Sequence, residues 1–257
     1  MSLHPDGYES SVAYAVEGGV QAGYVVPAGE TDSRAALWYG SASSYVDITP
    51  EGYFDAEVRD MSGGVQVGWA VSENDGSERA MMWRGSADTA YELHPPFYGY
   101  SFAEATDGKQ VVGSGRSFAV DERGSTALLW DAGNAFATRL HPEGFRDSFA
   151  LAVAGGVQVG EGYLEGELEP TALAWFGTAE SVVGLSAFLP EGYGGSSAVS
   201  VDSAGNIYGY AWDAPQYSFD VTPRLRSVVW RPVVVPEPGV LFAVVGVMAW
   251  GLGRRRG

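Results

Sequence analysis

Histidines and aspartates are the side chains here that could do acid–base, nucleophilic or metal chemistry, since the chain has 3 histidines and no cysteine. The histidines stand at His4, His94 and His141, each between a leucine and a proline. A nucleophilic triad needs one site whose residues differ from their counterparts elsewhere. A histidine that recurs in the same tripeptide is more typical of a turn. We therefore predict a structural role for all three and assign no catalytic residue, cofactor or metal ligand.

Carboxylates offer a second possible chemistry, because paired carboxylates cleave glycosidic bonds. Asp60, Asp107 and Asp202 each lie near the end of a predicted strand. Two equivalent columns hold small or different residues elsewhere, Ala154 among them. An aspartate at such a place can also simply accept backbone amides in a turn. We therefore predict that the protein is not an enzyme, and keep a glycosidase-like activity as the alternative.

Charge limits the partners. The chain has 32 acidic and 15 basic residues and a net charge of −17, which argues against nucleic acid because a phosphate binder needs a cationic face. The acidic stretch 161–169 is either solvated surface or a weak site for divalent cations or polysaccharide. It lacks the spacing of an EF-hand or of a calcium-binding nonapeptide repeat. The absence of cysteine excludes disulfides, iron–sulfur clusters and thiolate zinc sites.

Three patterns recur in phase along the chain, and these must position any site. A proline-containing turn ends in an aromatic residue, with steps of 45, 45, 47 and 48 residues. A Gly-Gly-Val-Gln-type turn follows, and then a tryptophan. The aromatic ends are Tyr8, Tyr53, Tyr98, Phe145 and Tyr193, and the tryptophans are Trp38, Trp83, Trp130, Trp175 and Trp230. Because the tryptophans occur once per unit, we predict that they form the core rather than a sugar-stacking platform.

A period in the mid-forties is typical of propeller blades. Each unit reads as four short strands; those of the first unit are 11–16, 20–25, 35–39 and 45–48, separated by glycine, proline and serine clusters. The sequence therefore predicts an all-β fold, a β-propeller of about five four-stranded blades over residues 1–234. The units start near residues 3, 48, 93, 140 and 189.

Closure of the predicted propeller depends on the two ends of the chain. The fifth unit runs from Trp230 into the C-terminal tail without an evident fourth strand, while residues 2–4 read as the end of a fourth strand. We expect these N-terminal residues to complete the last blade. The alternative is that upstream blades are missing, which leaves an open arc. Residues 1–8 also lack the basic and apolar regions of an export signal, so we expect a wrong or lost start.

The repeat resembles the HAF-type extracellular repeat, in which a glycine turn, a Gln-Val-Val-Gly strand and a His-Ala-Phe-Leu-Trp strand follow one another. Gly63 to Gly68 fits the first part closely, and the resemblance spans residues 3–231. It implies a propeller-like fold, a surface or secreted location and no enzymatic activity. The histidine that names the repeat is absent, so any role tied to it does not carry over. Its column reads Arg34, Arg79, Thr126, Thr171 and Arg226.

The tail, residues 235–257, carries three features in order. Val235, Pro236, Glu237 and Pro238 form an extended motif, because proline excludes regular helix. Residues 239–253 are apolar and predict a short membrane helix, and Arg254, Arg255 and Arg256 form a basic stop expected to stay cytoplasmic. Fifteen residues of helix span only ~22 Å against ~30 Å of hydrocarbon. An ordinary membrane anchor or a buried core helix therefore remains an alternative.

This tail resembles the PEP-CTERM sorting signal of bacteria with an exosortase system. The resemblance implies export, transient anchoring in the inner membrane and recognition of residues 236–238 by an exosortase-type membrane protease. Delivery to the cell surface or extracellular matrix follows. Together with the repeats, it predicts a non-enzymatic envelope or matrix protein that serves as an acidic adhesion or scaffolding module. Its expected partners are extracellular polysaccharide or other envelope proteins, and the alternative is an exported carbohydrate-active enzyme.

Overall fold

The computed structural model describes residues 2–118, 124–213, 224–234 and 240–248. Those residues form five antiparallel sheets of four strands each, with a few short 3-10 turns, so the all-β prediction is confirmed. The sheets follow chain order, and within each one the strands pair in sequence.

The strand bounds show the repeat directly. The first sheet contains β1 (Tyr8–Glu17), β2 (Val20–Pro27), β3 (Arg34–Trp38) and β4 (Val46–Asp47). The second contains β5 (Tyr53–Ser62), β6 (Val65–Ser72), β7 (Glu78–Trp83) and β8 (Tyr91–Glu92). The third contains β9 (Tyr98–Thr106), β10 (Gln110–Ser117), β11 (Thr126–Asp131) and β12 (Thr138–Arg139). The fourth contains β13 (Phe145–Ala154), β14 (Val157–Leu164), β15 (Thr171–Trp175) and β16 (Val183–Gly184). The fifth contains β17 (Gly195–Val201), β18 (Ile207–Trp212), β19 (Leu225–Val234) and β20 (Val240–Met248).

The repeated glycines and glutamines hold each hairpin in shape. Gly18 and Gly19, between β1 and β2, have φ of 56° and 87°, which residues with a Cβ rarely adopt. The neighbouring Gln21 uses both ends of its amide. Its Nε2 donates to the Gly19 carbonyl at 3.0 Å, and its Oε1 accepts the N–H of Gly40 at 2.9 Å. The glutamine thus ties the first turn of the blade to the chain after the third strand.

The first strands of the sheets are innermost. The first strands of neighbouring sheets contact one another. Each first strand also packs against the second and third strands of the preceding sheet. The hydrophobic core consists mainly of four clusters, one between each pair of successive sheets. The five repeated tryptophans are all fully buried, which confirms their prediction as core; they are Trp38, Trp83, Trp130, Trp175 and Trp230.

Every innermost strand contains a β-bulge opposite a glycine of the second strand. In the second sheet the register shifts between Val58 and Asp60, so Arg59 is the extra residue. The bulge brings the Glu57 carbonyl oxygen to 1.9 Å from where a Cβ on Gly68 would lie. Only glycine fits there. The recurring glycine of the Gln-Val-Gly motif therefore marks the bulge, and the bulge in turn sets the direction of one inner side chain per sheet.

Two predictions about the chain ends are wrong. Residues 240–248, expected to lie in a helix, form strand β20, which pairs with β19. Four of its nine residues are valines, which favour extended backbone, and pairing satisfies their amides. Because β20 is the fourth strand of the fifth sheet, the N-terminal residues do not complete that sheet. Leu3 instead packs near Trp38 of the first sheet.

No helix in the described ranges is long and apolar enough to span a membrane. The predicted sorting motif, Val235 to Pro238, and the arginines Arg254 to Arg256 lie outside the residues that the structure describes.

Candidate functional site

The bulged residues are the inner positions at which the units differ most. They lie six residues after the aromatic end of each repeat and are Tyr14, Arg59, Glu104, Leu151 and Val199. Tyrosine, arginine and glutamate at one structural position cannot serve a common packing role. A bulge re-aims the side chain it carries and is frequent next to functional sites. These positions therefore define where to look for binding chemistry.

Arg59 joins three sheets at this level. Its Cζ lies 4.7 Å from the ring centroid of Tyr14 in the first sheet, a cation–π contact. Its Nε lies 3.5 Å from Glu104 Oε2 in the third sheet, and its Nη1 lies 3.4 Å from Glu57 Oε2 on its own strand. The side chains of Arg59, Glu104 and Glu57 are 35%, 27% and 17% exposed. The cluster is thus half-buried and reachable from solvent.

Burial and charge oppose each other in this cluster. Burial raises the pKa of the Glu57 carboxyl, and the neighbouring Arg59 only partly offsets this. Burial also lowers the pKa of Arg59, but the charges of Glu104, Tyr14 and Glu57 outweigh it and raise that pKa overall. The guanidinium therefore stays charged. With two carboxylates around one guanidinium, the cluster offers polar groups and has no excess positive charge.

Aromatic rings continue the same surface across the neighbouring sheets. Trp69 and Phe102 meet edge to face with centroids 6.0 Å apart, and Tyr100 lies 5.6 Å from Phe102. In the fourth sheet Phe149 and Tyr163 are 6.5 Å apart. We call this set the inner surface. Its members are Tyr14, Glu57, Arg59, Trp69, Tyr100, Phe102, Glu104, Phe149 and Tyr163.

The histidines of the Leu-His-Pro turns at 94 and 141 hydrogen-bond within and between sheets. Nδ1 of His94 lies 2.8 Å from Ser101 Oγ, and its Nε2 lies 3.1 Å from the Tyr98 carbonyl. Ser101 Oγ in turn accepts the N–H of Ala80 at 2.9 Å, which links the third sheet to the second. His141 and Ser148 repeat the arrangement at 2.8 Å. In both histidines the two ring nitrogens thus tie the turn to the first strand of its own sheet.

The three candidate aspartates also act as turn and strand acceptors. Asp60 Oδ2 accepts the N–H of Thr106 at 2.9 Å across two sheets. Asp107 Oδ1 accepts the N–H of Gln110 at 2.8 Å, and Asp202 Oδ1 accepts that of Asn206 at 2.9 Å. The structural interpretation thus accounts for all three. Within the described ranges, no group of three histidine, aspartate or glutamate side chains is placed to hold a metal ion.

The acidic stretch 161–169 does not act as one cluster. Burial raises the pKa of Glu161, whose carboxyl accepts hydrogen bonds from Ser197 and Tyr163. Glu169 Oε2 accepts the indole N–H of Trp212 at 2.7 Å, beside a groove of about 410 Å³ between the fourth and fifth sheets. Its two ends thus serve different contacts.

A groove of about 670 Å³ lies between the outer parts of the first and second sheets. Two of its polar side chains, Tyr53 and Glu92, pair with each other, and Arg79 binds Glu92 from beside the groove. Glu92 Oε2 accepts the Tyr53 hydroxyl at 2.5 Å and Arg79 Nη1 at 2.9 Å. Burial, together with the bond to Glu92, raises the pKa of Tyr53 to about 12.

Comparisons with known proteins identify the fold but no family. No family model and no curated protein matches the chain. Among solved structures, it is similar to a TolB protein from Agrobacterium tumefaciens, with 14% identity, a TM-score of 0.54, and 83% of this chain and 72% of that chain covered. A prolyl endopeptidase structure gives 14% identity and a TM-score of 0.55 over 90% of this chain and 35% of that chain. A post-proline cleaving enzyme from Rickettsia typhi gives 10% and 0.52 over 93% and 38%.

At such low identity the likeness shows a propeller-like fold alone. This chain spans little more than a third of the two peptidase chains. Their activity therefore says nothing about the chemistry of the inner surface here.

The inner surface was not predicted from the sequence. Within the repeated motifs themselves, no unit differs convincingly from its siblings. The signal was present in the column six residues after each aromatic end, where tyrosine, arginine and glutamate replace one another. Only the bulges show that these side chains face a common space.

Proposed function

We propose that the protein is an exported, non-enzymatic binding module that holds neutral segments of extracellular polysaccharide on its inner surface. The observation that carries this proposal is the convergence of non-repeating side chains, Tyr14, Arg59 and Glu104, on three adjacent innermost strands. A scaffold without a ligand has no need for different residues at one bulge.

The chemistry of the inner surface favours a sugar. Aromatic faces stack on the apolar faces of pyranose rings, while carboxylates and a guanidinium accept and donate hydrogen bonds to hydroxyls. The net charge of −17 disfavours polyanions, which a general acidic field repels. A neutral polysaccharide is therefore the best match.

Binding to immobilised or soluble neutral polysaccharides, such as dextran and cellulose derivatives, tests the proposal, with alginate as the anionic comparison. We expect Tyr14→Ala and Arg59→Ala to weaken binding at least tenfold. Tyr39→Ala is the matched control, since Tyr39 is 52% exposed and lies just after β3, away from the inner strand. Equal binding by the Tyr14 and Tyr39 variants, or no binding of any neutral polysaccharide, would refute the proposal.

A glycosidase-like activity is the second candidate, and one observation favours it. Glu57 and Glu104 both approach Arg59, and burial raises the pKa of Glu57, as a general acid requires. Against it, one guanidinium binds both carboxylates. Release of reducing ends from the bound polysaccharide by the wild type, lost in Glu57→Gln and Glu104→Gln, would establish the enzyme. We expect none.

Export and sorting through the tail remain part of the proposal and rest on the sequence motif. Processing at Val235 to Pro238 would cut the chain between β19 and β20, because the motif lies between these strands in sequence. Intact-mass measurement of protein from the producer's envelope and medium tests this step. We expect a mass without residues 239–257, and the Pro236, Glu237 and Pro238 variants should keep the longer form. Native protein that retains residues 239–257 would show a plain anchor instead.

A further inference from the structure

The two end sheets leave uncovered the same faces that are buried everywhere else. In the second to fifth sheets, the residue two positions after the bulged one is at most 9% exposed. These residues are Met61, Thr106, Val153 and Val201. In the first sheet the same position is Val16, which is 69% exposed. Ala13 is also exposed, whereas its counterpart Val58 is fully buried. We call the side of the first sheet that carries Ala13 and Val16 its front face.

The fifth sheet shows the complementary deficit. Val159 in β14 is fully buried against the fifth sheet, but its counterpart Tyr208 in β18 is 40% exposed. Ser227 is exposed where Ala172 of the fourth sheet is fully buried, and Ser200 is exposed as well. We call the side of the fifth sheet that carries Ser200, Tyr208 and Ser227 its back face. Among the described elements, the first and fifth sheets share no packing comparable to that of successive sheets.

We propose that the front face of the first sheet binds the back face of the fifth sheet of a second copy of this chain. The chain itself specifies the occupant, because each internal interface joins one front face to one back face. At three of the four internal interfaces the front face also offers a serine that accepts a backbone N–H of the preceding sheet: Ser101, Ser148 and Ser196 accept those of Ala80, Ala127 and Ala172 at 2.9, 2.9 and 3.0 Å. The second sheet has Ala56 at this position. Ser11 holds the same position in the first sheet.

The electrostatics permit this association despite the net charge of the chain. The residues named on both end faces are uncharged: Ser11, Ala13 and Val16 on one, and Ser200, Tyr208 and Ser227 on the other. The interface is head-to-tail, so it generates a closed ring or a filament of copies rather than a two-fold symmetric pair through one patch. It requires neither the inner surface nor any ligand, so the polysaccharide proposal can fail independently.

Disulfide trapping tests the proposal with little background, since the chain has no cysteine. Internal interfaces place Asp60 Oδ2 2.9 Å from Thr106 N, and these positions correspond to Ser200 and Val16. Mixing full chains that carry Val16→Cys and Ser200→Cys should yield a covalent dimer under mild oxidation. Mixing Val46→Cys with Ser200→Cys should not, because Val46 is 40% exposed but lies on the outer strand β4.

Solution mass provides the second arm. The wild type should exceed the 27.2 kDa of one copy at micromolar concentration by light scattering. Ala13→Glu should return it to one copy, whereas Val46→Glu should not. Ala13 is exposed in the single chain, so the charge does not prevent folding. A wild type that remains at one copy, or a Val16→Cys and Ser200→Cys double variant that closes within one chain, would overturn the proposal.

Discussion

Replacement of Trp83 by alanine tests whether the interfaces between sheets hold the fold together. Trp83 is fully buried, with 0% of its surface exposed to solvent. It packs with Val58, Ala70 and Met81 between the first two sheets. Burial of a tryptophan removes on the order of 200 Å² from water, which at ~25 cal/mol per Å² stabilises the fold by about 5 kcal/mol.

One feature of Trp83 lowers this figure. Its indole N–H has no hydrogen-bond partner among the described residues, and an unpaired buried donor costs about 1–3 kcal/mol. Trp83→Ala should therefore lower the free energy of unfolding by about 3–5 kcal/mol, cavity included. Trp130 is the informative comparison, since its Nε1 donates to the Leu93 carbonyl at 2.9 Å. Trp130→Ala should cost about 1 kcal/mol more, because that buried carbonyl loses its partner.

Urea denaturation followed by far-ultraviolet circular dichroism measures both changes, with the slope m checked for a common two-state transition. A loss below about 1 kcal/mol for Trp83→Ala at unchanged m would contradict burial between sheets. An equal cost for the two variants would contradict the role given to the Trp130 hydrogen bond.

Three further predictions concern the repeat and the buried carboxyl. Gly68→Ala should destabilise the fold by about 1–3 kcal/mol by forcing the bulge apart, while Gly184→Ala, which has open space, should be near neutral in thermal melting. Gln66→Ala should lower the free energy of unfolding by about 1–3 kcal/mol in urea denaturation, because the Gly85 N–H loses the side-chain acceptor that it binds at 2.7 Å. The folded pKa of Glu161 is raised, so the native state binds the extra proton and loses stability as pH rises from about 4.5 through that pKa. Glu161→Gln should therefore be more stable than the wild type at pH 7 but not at pH 4. The reverse order in thermal melts at the two pH values would be inconsistent with a buried carboxyl of raised pKa.

Much of the fold could be predicted because the chain repeats its own instructions. The tryptophan column, the Gly-Gly turns and the Gln-Val-Gly strands recur wherever the same backbone recurs, so five four-stranded sheets follow from local patterns. The histidine turns could be predicted for the same reason. A single unit offers little proof, but five units in phase make coincidence untenable.

The candidate site could not be predicted in this way, because its residues are the ones that do not repeat. Tyr14, Arg59 and Glu104 are each 45 residues apart in sequence and meet only because a bulge turns each one and successive sheets stack. The end faces are likewise invisible in sequence, since Val16 and Met61 occupy equivalent positions and differ only in whether a sheet lies in front of them.

The sequence by itself determined the repeat, the strand positions and the buried tryptophans, because these depend on contacts within one unit or with an identical neighbour. Only the tertiary structure showed which side chains form the inner surface, which faces of the end sheets are uncovered, and that residues 240–248 form a strand. An apolar run rich in valine suits a helix in lipid or a strand in a sheet equally well. The choice of strand depends on the unpaired edge of β19, whose amide and carbonyl groups gain hydrogen-bond partners when β20 adds to the sheet.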